Sequence, residues 1–316
     1  MSRRYAWWIG IFALLMALPF FTADYRMFQM GLIASTAIMA LGLVMVIGIA
    51  GQISLAQAAF SAIGAYVSTL AAIHSGIVPW FGIPIAALLA GVVGYVLGLA
   101  TLRLGGHYLA LVTMALTAIV QVVLVHWEPV TGGALGLSVP PLAIGGKELT
   151  TGFSFYYVVV PVAFGMFLLA ANILDSRIGR AFSALCQSEV AAQTLGVNVL
   201  HYKSLAFALS AFLGAVGGGF QGLQTSYLDP NLFGIIESVA LVAIIIIGGF
   251  RSIGGAVIGS AIFVLVPEML GAFQGYKGLV FAALLLITIV LFPTGLAGLG
   301  SVLFSRIQSL VTGRPR

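Results

Sequence analysis

Charge is what this chain has least of. Asp, Glu, Lys and Arg make up 7% of its 316 residues, against about a quarter in soluble domains. So few charges cannot cover a water-facing surface, which excludes a soluble globular protein. Thirteen basic residues against eight acidic ones leave a net charge of +5. They are dispersed, however, and form no run that would mark a nucleic-acid partner. Cysteine occurs once, as Cys186, so an intramolecular disulfide is excluded and a thiolate metal cluster is disfavoured. His74, His107, His126 and His201 fall in different segments without ligand spacing. The chain has no Gly-x-x-x-x-Gly-Lys-Ser/Thr loop, nucleophile elbow or zinc-protease helix. No ATP site, catalytic residue, metal or cofactor is therefore expected of the chain itself.

Apolar residues, in contrast, make up 61% of the chain, and the mean hydropathy is +1.16. One helical crossing of a bilayer takes about 20 apolar residues, so the length allows roughly ten. The apolar runs are too long for barrel strands and do not alternate. The expected fold is an all-α, polytopic helical membrane bundle: one domain over 1–316 with a polar loop at 175–204. The segments fall at about 6–22, 28–50, 58–75, 83–102, 108–127, 153–174, 205–225, 237–250, 254–270 and 278–297. The first, after Arg3 and Arg4, resembles a signal peptide but lacks a clear small-x-small cleavage site, so it reads as a retained helix.

Ten crossings with the N-terminus inside separate the basic residues sharply. Arg3, Arg4, Arg103, Arg177, Arg180, Lys203, Arg251, Arg306, Arg314 and Arg316 fall inside, and only Arg26, Lys147 and Lys277 outside. That is the positive-inside pattern, and it places both termini and the loop at 175–204 in the cytoplasm. Small residues recur every four positions at Gly94 and Gly98, at Gly214, Gly218 and Gly222, and at Gly255 and Gly259. This spacing suits close helix packing in lipid. The spans hold almost no charge, with Glu237 and Glu268 near segment ends. That weakens a carrier powered by its own proton coupling, while sodium coupling through backbone oxygens stays open.

Two stretches stand out. GQISLAQ, residues 51–57, interrupts two apolar segments with Gly51, Gln52, Ser54 and Gln57, which are polar without charge apart from the helix-breaking glycine. Interrupted helices free backbone groups for solute contact, which makes these four residues candidates for a substrate pathway. The other reading is a short cytoplasmic turn. A related role is open to GGFRSIGGAVIGS at 248–260. The polar island at 175–203 is the second stretch. There Phe182, Leu185, Cys186 and Val190 recur at helical spacing as one apolar face. Ser188 suits the cap of a second short helix with Glu189 in its first turn, Gly196 a helix stop and Asn198 the cap of the next span. The island thus reads as one or two amphipathic helices that lie against the inner face and receive a partner.

The chain resembles the LivM-type permeases of ABC importers for branched-chain amino acids. GQISLAQAAFSAIGAY (51–66), LRLGGHYLALVTMAL (102–116), TGGALGL (131–137), SEVAAQTLGVNVLHYKSLAFALSAFLGAVGG (188–218) and IIIIGGFRSIGGAVIGS (244–260) follow in that family's order. Glu189, Ala191, Ala192 and Gly196 are similar to the EAA motif, through which such permeases dock on a cytoplasmic ATPase. With Arg180 they form the implied coupling set. The resemblance implies a LivH-like second permease subunit, two cytoplasmic ATPase subunits, an extracytoplasmic solute-binding protein, and a multi-pass place in the lipid of a bacterial inner membrane. Ala134 and Leu135 replace a polar pair common in the family, and Gly255 replaces a proline. Relatives carry urea, aliphatic amides or aromatic acids as well as branched-chain amino acids. A sugar permease of the same broader class, or an ion-coupled carrier or channel acting alone, is the competing expectation.

Overall fold

The computed structural model describes residues 2–75, 79–100, 106–140, 143–144, 147–148, 152–269 and 295–297. Helix α1 (Ser2–Ala17) is followed by a tight helical turn (Leu18–Phe21). Helix α2 (Asp24–Leu43) continues as a wider, i→i+5 bonded turn over Val44–Ile49. Then come α3 (Gln57–Ser75), α4 (Pro79–Ala100), α5 (Gly106–His126) and the short α6 (Glu128–Thr131). Strand β1 (Leu137–Ser138) follows, then a small ribbon of β2 (Ala143–Ile144) and β3 (Lys147–Glu148). Helices α7 (Gly152–Asp175), α8 (Arg177–Gln187), α9 (Glu189–Thr194) and α10 (Val199–Thr225) come next. Strand β4 (Tyr227–Leu228) pairs antiparallel with β1 before α11 (Ile235–Gly248) and α12 (Ile253–Met269).

Among the described residues, five helices are long and apolar enough to cross a membrane: Asp24–Ile49, Phe81–Ala100, Tyr108–His126, Gly152–Asp175 and Val199–Thr225. The pair α11 and α12, bent by 118° at its break, makes a sixth if counted as one span. Helix α3 is not among them because it is built for the interior, with Gln57, Ser61, Ser68 and Thr69 all buried. The expected segment at 278–297 and the tail with Arg306, Arg314 and Arg316 lie outside the described residues, apart from 295–297.

Helix α10 is the axis of the bundle, and small residues put it there. A Cβ on Gly218 would overlap the backbone of Ser61, and one on Gly98 the Cα of Ser204. Helices α3 and α4 therefore approach α10 at backbone distance, as the four-residue spacing predicts. On the α2 side, a Cβ on Gly217 would lie 2.6 Å from the Ser35 carbonyl oxygen. Gly259 brings α12 against the Ile244 carbonyl of α11 in the same way. The large apolar side chains of α4 and α5, such as Leu88, Val92, Leu111 and Ile119, face outward. A lipid-embedded bundle packs by shape, because its surroundings are as apolar as its core.

Two expected features change. The span at 205–225 begins six residues earlier, at Val199, because the Asn198 side chain accepts from the His201 N–H and starts the helix there. The loop at 128–152 contains α6 and three short strands. Positive φ at Gly132, Gly133 and Gly136 lets it turn three times within a few residues.

Candidate functional site

The chain leaves α2 through Gly51, whose φ of +69° is costly for any side-chain-bearing residue. A Cβ there would also press on Cys186 of α8, 3.1 Å from its Sγ. From this corner residues 51–56 run without helical structure until α3 begins at Gln57. Gln57 faces Ser210, eleven residues beyond Val199, or about 16 Å along the α10 axis at 1.5 Å per residue. Helix α3 therefore starts inside the bundle, and 51–56 runs without helical structure from the corner beside α8 to that point.

A buried, non-helical backbone needs hydrogen-bond partners from elsewhere. Here the Leu55 N–H donates to Thr113 Oγ1 at 2.9 Å, and the Thr117 hydroxyl donates to the Leu55 carbonyl at 2.7 Å. The Ala58 N–H donates to Ser238 Oγ of α11 at 3.0 Å. The Gln57 amide donates to the Met39 carbonyl at 2.8 Å, and its Oε1 accepts from the Ser210 hydroxyl at 3.0 Å. Ser54 is fully buried, with its Oγ near the Ala56 N–H. Ser54 and Gln57 thus hold the segment in place, while Ile53 is half-exposed and Gly51 exposed. Thr113, Thr117, Ser210 and Ser238 were not singled out from the sequence. The signal available was a pair of threonines four apart on an otherwise apolar helix.

The second break, at 249–252, lies beside the first: a Cβ on Gly48 would overlap the Phe250 carbonyl. Gly249 itself has φ +124°, a backbone region reserved for glycine. The two interruptions expected from the sequence thus share one corner at the end of α2.

The polar island folds as two short helices. Ser176 caps α8, accepting from the Ile178 N–H at 3.1 Å, and Ser188 caps α9, accepting from the Ala191 N–H at 3.2 Å. Gly196 ends the motif with φ +80° in open space. Phe182 and Leu185 are buried and Cys186 partly so, but Val190 is 74% exposed. The apolar face expected to run from Phe182 to Val190 stops at Ser188, because the extended backbone of the cap rotates α9 relative to α8. Val190 and Leu195, the latter 81% exposed, are both open to solvent. Ala192 is buried and Ala191 exposed. Arg180 is exposed and donates to the Asp175 carbonyl at 3.3 Å.

Glu189 joins the two stretches. Its Oε1 lies 2.6 Å from Lys203 Nζ, and the Gln52 amide donates to the same oxygen at 3.4 Å. Lys203 is 6% exposed. Burying an ammonium is costly unless a carboxylate accompanies it. Glu189, about half exposed, therefore holds Lys203 and Gln52 with one oxygen while its rim meets solvent. Lys203, read from the sequence as an orientation marker, is a structural partner of the motif glutamate.

A helical membrane bundle with an unwound stretch, bonded at one corner to a short capped helix pair, is a polytopic membrane protein. Residues 27–289 match the family described as branched-chain amino acid transport system / permease component, and the chain belongs to it. Among curated relatives, the chain is 29% identical over 312 residues to the high-affinity branched-chain amino acid transport system permease protein LivM of Escherichia coli, covering 91% of this chain and 73% of that protein. It is 30% identical to LivM of Salmonella typhimurium, covering 82% and 67%, and 28% identical to LivH of the same organism, covering 86% and 94%. No solved structure matches.

Proposed function

We propose that this chain is the membrane permease subunit of an ATP-driven ABC importer that moves branched-chain amino acids, or a closely related small polar solute, into the cytoplasm. The observation that carries this reading is the family match over 27–289, joined by likeness to both LivM and LivH proteins. The chain acts without an ATP site or cofactor of its own. It pairs with a LivH-like permease subunit and works with two cytoplasmic ATPase subunits and an extracytoplasmic solute-binding protein. It lies in the bacterial inner membrane as a single domain of about ten crossings, with both termini cytoplasmic.

Within that reading, Arg180, Glu189, Ala191, Ala192 and Gly196 form the coupling surface. The exposure of Val190 and Leu195 supports it, because apolar side chains open to solvent on a short polar helix suit contact with a partner. Gly51, Gln52, Ser54 and Gln57 line and hold the substrate pathway. The Gln52–Glu189 contact supports treating the two sets as one device, since a shift of α9 acts directly on the unwound segment.

The test is reconstitution in vesicles with the second permease subunit, the ATPases and the binding protein. The expected outcome is uptake of leucine, isoleucine or valine that requires ATP, with urea, aliphatic amides and aromatic acids as the comparison panel. Uptake by the purified chain alone, driven by an ion gradient and indifferent to ATP, would sink the reading.

A further inference from the structure

A cavity of about 240 Å³ lies between α3, the end of α10, the start of α11 and α12. It falls just below the roughly 300–1,000 Å³ of drug-sized sites, a scale that suits one small metabolite. One side is apolar, formed by Leu232, Phe233 and Phe263. The other carries Ser61, Gln221, Thr225, Asp229 and Glu237.

The two carboxylates are not equivalent. Asp229 is occupied as the cap of the turn Pro230–Phe233, its Oδ1 accepting from both the backbone and the side-chain nitrogen of Asn231 at 2.9 Å. Among the described residues no hydrogen bond or ion pair reaches Glu237, and no Lys or Arg lines the cavity. A carboxylate within a membrane bundle marks a functional position, because it is costly there without a partner. Its neighbour Ser238 holds the Ala58 N–H, and Ser61 lies one turn further along α3. The cavity thus meets α3 at Ser61, one turn beyond the bond that ties Ala58 to α11.

We infer that this cavity binds a small aliphatic primary amine, with the ammonium against Glu237 and the aliphatic body on Leu232, Phe233 and Phe263. The ligand supplies the counter-charge that none of the described residues provides. The Ser61 and Thr225 hydroxyls already donate to backbone carbonyls, so the Gln221 amide is the group on that wall that offers N–H donors to a carboxylate at the ligand's other end, as an amino acid would present. That last identification rests on the functional reading above, and the amine site does not.

The test uses the full transporter complex with Thr225→Cys on a Cys186→Ser background. A cationic thiol reagent is expected to modify Thr225→Cys about tenfold faster than an anionic one, as a carboxylate-lined cleft concentrates cations. Glu237→Gln should reduce that preference several-fold, with Asp229 retaining the remainder, and Glu237→Asp should keep most of it. Millimolar leucine or isopentylamine should slow modification in the presence of Glu237 and not in Glu237→Gln. In the same complex Glu237→Gln should lower leucine uptake about tenfold, and size-exclusion chromatography checks that the complex assembles. Unchanged labelling preference in Glu237→Gln, or no protection by either amine, overturns the assignment. If the parent complex moves no branched-chain amino acid yet isopentylamine still protects, the functional reading falls and the amine site stands.

Discussion

Lys203 carries more of the design than its place in the sequence suggests. A buried ammonium fixes where its carboxylate must be, so Glu189 cannot leave without stranding a charge. The pair therefore gives α9 and the start of α10 one common position, with Gln52 as the third member. Lys203→Met and Glu189→Gln are each expected to lower the ratio of solute moved to ATP hydrolysed about tenfold, within the usual range of coupling energies. The exchange Glu189→Lys with Lys203→Glu should recover part of it. A double exchange no better than the two single losses combined would show that the pair does not link the elements. At this scale local chemistry was legible: Ser188, Gly196 and Asn198 play the capping and stopping roles their side chains predict. The Gln52–Glu189 contact was not, because it joins positions 137 apart that share no periodicity.

Among the elements, the breaks matter more than the helices. Gly51 combines a left-handed backbone with contact to Cys186, so Gly51→Ala is expected to cost about 1–2 kcal/mol from the backbone alone and to push α8 away. Cysteine crosslinking between the 51–56 segment and α8 would register the displacement, and an unchanged pattern with unchanged thermal stability would count against it. Gly218→Ala should cost about 1–3 kcal/mol as an overpacked contact with the Ser61 backbone, read as a lower Tm of the solubilised protein. Both interruptions were legible as polar or glycine-rich gaps in apolar runs. Their depth was not, since it depends on Thr113, Thr117 and Ser238, whose hydroxyls look incidental within their own helices.

For the whole molecule, the apolar composition specifies a membrane bundle, but hydropathy alone does not say which helices are central. Of the similarly apolar spans, α2 is largely buried while α4 and α5 turn many large side chains outward, and the axis is α10 with the small and polar α3 against it. The distribution of basic residues makes a separate, global prediction. On a Cys186→Ser background, an impermeant thiol reagent added to intact cells should label Ser138→Cys in the loop after α6 and spare Gln187→Cys at the end of α8. Labelling in the opposite sense would invert the proposed orientation.

The unwound stretch at 51–56 also works as a gauge. Thr113 and Thr117 of α5 bond Leu55, Ser238 of α11 bonds Ala58, and Ser210 of α10 bonds Gln57, so these ties are lent by three separate helices. A segment held in this way has little shape of its own and registers the relative standing of its lenders. Rigid-body movement of α5 or α11 must trade these bonds together rather than loosen them one by one. Amide exchange at Leu55 and Ala58 is therefore expected to rise and fall in step as the protein cycles, a timing signal at the centre of the bundle for events at its ends.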